Sequence, residues 1–208
     1  VALKRAGVDL IQMANSCSIY NGVAGLSATL DAIQAAGLQS IGAFRNRDEF
    51  RRTGGYTIRE VNGIKIAVVG FTKGMDSMGL PSGSEDCVNV LYKDYDSTYQ
   101  KVDTDGIKSV LKAVAEDKPD ITIALVHWGS EFSEYSEESS GTQRTIISLM
   151  KKQGVDVILG THSHMVHELS YESETGFFVA YSLGDFFGDG NRSGTNYSVL
   201  LDLEITKD

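Results

Sequence analysis

Short apolar runs alternate with segments of helical period along the chain, and this alternation holds the fold to the α/β class. Residues 1–6 read as an opening helix, and residues 9–14 (DLIQMA) as a short apolar strand. Residues 22–36 then carry Val23, Leu26, Leu30 and Ile33 at spacings of three and four, an amphipathic helix closed by Gly37. Residues 38–43 form the next strand. Residues 56–61 and 64–71 flank Asn62-Gly63, a two-residue hairpin signal whose residue types tolerate positive φ. A hairpin inside an alternating pattern predicts a mixed sheet, not a purely parallel one.

Residues 72–103 lack periodicity and include Tyr92, Tyr95 and Tyr99, which either line a cleft or pin the loop to the core. Helical period returns at Ile107, Val110, Leu111 and Val114 and stops before Pro119. A strand over 121–127, a helix over 142–153 and a strand over 155–160 follow. Strands over 167–171 and 177–183 join through Glu174-Thr175-Gly176, and a last strand is expected over 197–205.

With 208 residues, 41% of them hydrophobic, the chain is long enough for one core without disulfide staples, and no linker divides it. The expectation is a single domain over residues 1–208. The apolar runs at 64–71, 121–126 and 177–183 fall well short of the roughly 18 residues a membrane span needs. The formal net charge of −9 leaves no excess of Lys and Arg to release counterions, which argues against nucleic acid or an anionic bilayer as partner. Cys17 and Cys87 have no metal-type spacing; they are free thiols or one disulfide.

All four histidines lie between positions 127 and 167. His127 ends the run Ile-Thr-Ile-Ala-Leu-Val, and His162 and His164 follow Val-Ile-Leu-Gly, so two apolar strands deliver them at their carboxyl ends. Ligand sites in α/β sheets are built there. Two strand ends, one bearing His-Ser-His, predict that His127, His162 and His164 converge on a divalent metal such as Mn, Zn or Fe. His167 opens the next strand and reads as structural or supporting. Gly129, Gly160 and Gly184 each mark a strand exit, and Tyr-Ser-Leu-Gly-Asp-Phe-Phe (181–187) puts Asp185 on a third one. That carboxylate is suited to ligating metal, orienting a histidine or accepting a proton; an Asx turn is the structural alternative.

Ala-Leu-Val-His-Trp-Gly (124–129), the helix bearing Gln143, Gly-Val-Asp-Val-Ile-Leu-Gly-Thr-His-Ser-His (154–164) and Tyr-Ser-Leu-Gly-Asp-Phe (181–186) together resemble the bacterial capsule-synthesis CapA family. Ala14-Asn15-Ser16-Cys17-Ser18 and the helix after it resemble that family's Asn-Asn-His-Ser segment, and residues 63–71 match as well. The resemblance covers nearly the whole chain. It implies a calcineurin-like metallophosphoesterase fold, a layered α/β/β/α sandwich with mixed sheets. It also implies a cell-surface or extracellular place, and an anionic capsule polymer (poly-γ-glutamate) or its membrane synthesis machinery as partner.

The departures from the family bear on mechanism. The resemblance puts a metal ligand at Ser16 and a general acid or phosphate contact at Cys17, where the family has Asn and His. Hydroxyl is a weak neutral ligand, and a thiol does not replace imidazole as a general acid near neutral pH. Asp185 stands at a family Asn, and Ser163 at the Pro of His-Pro-His. The family's early Gly-Asp strand, source of a further carboxylate, is expected to lie before residue 1. Cys17 and Asp185 are thus the candidate catalytic positions, and His127, His162, His164 and Ser16 the candidate metal positions. Two functions stay open: a capsule-polymer protein with a degenerate site, or a metal-dependent hydrolase of a phosphoester or of an amide in an extracellular polymer. Arg45, Arg47, Arg51, Arg52 and Arg192 are candidate polymer contacts by charge alone, with a plain surface role as the alternative.

Overall fold

The computed structural model describes residues 1–133, 141–188 and 190–207. The opening helix is one turn, α1 (Ala2–Arg5), that buries nothing. β1 (Leu10–Gln12) pairs in parallel with β2 (Gln39–Ile41), and α2 (Gly22–Ala35) crosses between them, burying Leu26, Leu30 and Ile33. The charged stretch after β2 forms α3 (Arg47–Thr53), where the Asn46 side chain accepts from the Glu49 amide at 2.9 Å.

A six-stranded mixed sheet carries the rest. Its order is β3 (Tyr56–Val61), β4 (Ile64–Thr72), β5 (Ile121–His127), β6 (Val157–Thr161), β8 (Phe177–Ala180), β7 (Leu169–Glu172). β4, β5, β6 and β8 run parallel, while β3 and β7 are antiparallel edges. The β3–β4 hairpin turns at Asn62 (φ 53°) and Gly63 (φ 80°), as the Asn-Gly pair demands. All four parallel strands therefore present their carboxyl ends at one edge.

Two apolar clusters fix the layers. On one face α4 (Thr104–Glu116) and α5 (Gly141–Lys152) set Ile107, Leu111, Ile146 and Met150 against Val69, Val126 and Ile158. On the other, α2 packs over Ala14, Ala43, Met75 and Val88. The small sheet meets the large one where Gly42 touches Gly70; a Cβ at Gly42 would stand 3.0 Å from the Gly70 carbonyl carbon, so a side chain would force the sheets apart. Gln12 spans the same seam, donating from Nε2 to Phe71 and Leu125 carbonyls at 3.2 Å. Helices, large sheet, small sheet, helix: this is the expected α/β/β/α order.

The sequence expectation fails at the chain's end. Residues 197–205 form no strand, only the bridge Gly184–Ser198. Tyr197 is 67% and Leu200 83% exposed, so the alternating side chains there find no sheet face to bury against. Elsewhere the boundaries shift by a few residues, and β7 and β8 are shorter than the patterns suggested.

Candidate functional site

β5 and β6 lie side by side with His127 in register with Thr161, the last residue of each strand. His127 and His162 thus become neighbours, with ring centroids 4.4 Å apart. His127 Nε2 meets Ser16 Oγ at 3.0 Å, and its Nδ1 lies 3.3 Å from Thr161 Oγ1. Thr161 Oγ1 also faces the Val126 carbonyl at 3.4 Å, which only accepts. That chain of partners assigns the imidazole proton to Nδ1, donating to Thr161, and leaves Nε2 to accept from the Ser16 hydroxyl.

Both rings are held neutral. Burial pushes His127 down to about 4, with Lys73 and His164 adding to the effect. Burial pushes His162 down to about 3, with His127, Lys73 and His164 behind it. Glu131 lies 3.9 Å from His162 Nδ1, beyond hydrogen-bond range.

His164 goes elsewhere. Its Nδ1 donates to Asp185 at 2.8 Å, its ring stacks on Phe132 at 4.7 Å, and Arg192 covers the Phe132 ring at 3.9 Å. The cause is local backbone: His162 adopts φ 104° and His164 φ 62°. The fully buried Ser163 holds this bend, donating from Oγ to the Met165 carbonyl at 2.8 Å while its own carbonyl accepts from the Phe132 amide at 2.9 Å. His167 Nε2 donates to the Ser133 carbonyl at 2.9 Å and ties down the loop after β5, a supporting role.

His127 and His162 thus stand side by side, and His164, close enough to act on both rings, turns toward Asp185. Asp185 orients His164, one of the roles its position suggested. Among the described residues no set of three or more His, Cys, Asp or Glu is spaced to hold a metal ion. Two imidazoles and a hydroxyl fall short of the three strong protein donors of a catalytic zinc centre, and the His127 lone pair already accepts from Ser16. Among the described residues the donor set does not by itself fit a complete metal centre. Cys17 is exposed beside Ser16, its amide bonded to Asn15 Oδ1 at 2.9 Å, and both cysteines are free thiols.

The model of the family described as bacterial capsule synthesis protein PGA_cap matches residues 1–190. The chain belongs to this family. It is 26% identical to the capsule biosynthesis protein CapA of Bacillus anthracis over 98% of its length and 46% of that protein. It is also 26% identical to the PGA biosynthesis protein CapA of Bacillus subtilis, over 99% of its length and 49% of that protein. The chain spans about half the length of these curated relatives. A putative 5'-nucleotidase of Staphylococcus aureus superposes over 91% of the chain and 43% of its own, at a TM-score of 0.48 and 11% identity.

The PGA_cap strand-end cleft contains one residue that sequence reasoning missed. Lys73 follows β4 directly, and its amide donates to the His127 carbonyl at 2.7 Å. Its ammonium donates to the Gly129 carbonyl at 2.7 Å and stands 4.6 Å from the Tyr99 ring centre. The usable signal was register: Thr72, one residue earlier, pairs with His127. The arginines singled out by charge lie mostly elsewhere. Arg45 is bonded to Asp31 and Glu49, and Arg47 to Asp86; only Arg192 borders the cleft.

Proposed function

We propose that this chain is the cleft-bearing part of a CapA-type capsule synthesis protein acting at the cell surface. Its strand-end cleft takes the acidic capsule polymer for export or anchoring, and its metallophosphoesterase-type centre is degenerate. The observation that carries this reading is the Ser16 hydroxyl on His127 Nε2 at 3.0 Å. A residue that donates a hydrogen bond to the imidazole lone pair occupies the place where the family resemblance puts a metal ligand. The name of the Bacillus subtilis relative supplies the polymer, PGA. Among the described residues no helix is long and apolar enough to cross a membrane.

The competing reading is a metal-dependent hydrolase, favoured by two neutral imidazoles side by side at strand ends. One assay separates them. The full-length protein, desalted and then given Mn or Zn, is tested on bis-p-nitrophenyl phosphate. The expected result is no stoichiometric metal and no turnover. Sustained turnover that a chelator abolishes establishes the hydrolase instead.

A further inference from the structure

Lys73 is half-buried, and burial pushes its pKa down. Among the described residues its ammonium bonds one carbonyl, Gly129, and forms no ion pair; Glu131 and Asp76 act on it only from a distance. An ammonium has three donors, and leaving it partly desolvated without a counterion is costly. The side chain forms a wall shared by two cavities of different character.

The first, about 340 Å³, is bordered by Ser16 and His162 but also by the carboxylates of Asp76 and Glu131, which repel an anion. The second, about 280 Å³, has no carboxylate among the described residues that line it, and Asp94 behind it is taken up by the Thr98 hydroxyl and the Gln100 and Lys101 amides. Around Lys73 it sets the hydroxyls of Ser130 and Thr142 and the side-chain amides of Gln100 and Gln143, with Tyr99 beneath the ammonium, while the Thr98 hydroxyl at its edge donates to Asp94. In a chain of net charge −9, a cavity with one cation and neutral donors and no acid among its described lining residues favours negative charge. The flanking amides match a ligand whose charged group sits beside amide bonds.

We propose that this second cavity is a carboxylate-binding subsite, with Lys73 as its charged anchor and Gln100 and Gln143 as partners for the ligand's neighbouring amides. The ligand class is an acidic polyamide. This rests on the reading that the cleft takes the acidic polymer, and it names which wall holds the polymer's charge. The histidine pair, on the far side of Lys73, is not needed for it.

The test measures binding by calorimetry, with the full-length protein and three probes: γ-linked hexaglutamate, the neutral γ-linked hexaglutamine, and inorganic phosphate. Hexaglutamate binds and hexaglutamine does not. Lys73→Met weakens hexaglutamate binding about tenfold or more, the scale of one charge-assisted hydrogen bond. Lys73→Arg keeps most of it, and Lys112→Gln, which removes one exposed charge on α4, changes it less than about twofold. An unaltered thermal midpoint for Lys73→Met excludes misfolding as the cause. If Lys73→Met binds hexaglutamate as the wild type does, the subsite is overturned while the polymer reading stands. If the wild type binds no hexaglutamate, the polymer reading falls and the subsite with it. Phosphate binding that depends on Lys73, without hexaglutamate binding, overturns the carboxylate assignment.

Discussion

His127 with His162, and His164 with Asp185, leave neighbouring strands only a few residues apart, yet they are different kinds of pair. The first is largely buried at the ends of packed strands, both rings neutral, with a hydroxyl and not an acid on the facing nitrogen of His127. The second lies at the rim, with side chains 36% and 28% exposed, and a carboxylate accepts a hydrogen bond from the ring. The difference comes from the floor beneath each. Trp128 is fully buried under the first pair, its Nε1 donating to the Tyr181 carbonyl at 2.9 Å. A Cβ on Gly160 would approach that same carbonyl to 2.1 Å. β5, β6 and the exit of β8 are thus locked together under His127, while His164 stands on a loop beyond the last paired residue.

The largest effect should come from breaking that floor. Trp128→Ala removes a buried indole and leaves the Tyr181 carbonyl without its donor, so a loss of about 3–5 kcal/mol is expected in chemical denaturation. The His127–His162 contact should loosen with it, while the His164–Asp185 bond survives in any folded fraction. A loss below about 1 kcal/mol would mean that the floor does not carry the buried pair.

Protonation sharpens the contrast. An unfolded histidine titrates near 6.5, but the folded values are about 4 for His127 and about 3 for His162. Between pH 6.5 and 5 the unfolded chain binds protons that the folded chain refuses, so stability falls as pH falls. The slope contributed by each ring is at most about 1.4 kcal/mol per pH unit. Carboxylates stay largely ionised above pH 5 and leave this window to the histidines. Urea midpoints at pH 7, 6 and 5 should drop steadily for the wild type and less steeply for His162→Asn. Equal slopes would show that His162 is not held neutral by the fold.

How much of this was legible in the sequence follows the same division. The central strands were plain because apolar runs and the Asn62-Gly63 turn are local signals with local causes. α3 was visible only as arginines named for their charge, since seven residues give too little period. The strand over 197–205 was overread: an alternating pattern specifies a face, but a sheet must be there to receive it. Delivery of His127 and His162 to one point followed from strand ends. The direction of His164 did not follow, because two residues apart on an extended loop share a side, and φ values of 104° and 62° break that rule. Lys73 escaped notice as one cation among 19, its role set by pairing across strands and not by any motif.

The smallest effect belongs to the rim pair. Asp185→Asn keeps the shape of the acceptor and removes its charge. Because both side chains are about a third exposed, solvent screens much of the interaction, and the stability loss should stay under about 1 kcal/mol. The change should appear in the ring itself. With Asp185 accepting, His164 carries its proton on Nδ1; with an amide there, either nitrogen can face the partner, and nitrogen NMR of the imidazole should report a mixture of tautomers. A single unchanged tautomer would assign the orientation to the Phe132 stack and not to the carboxylate. A loss as large as that of Trp128→Ala would erase the distinction between floor and rim, since the exposed pair would then be supporting the fold as strongly as the buried indole does.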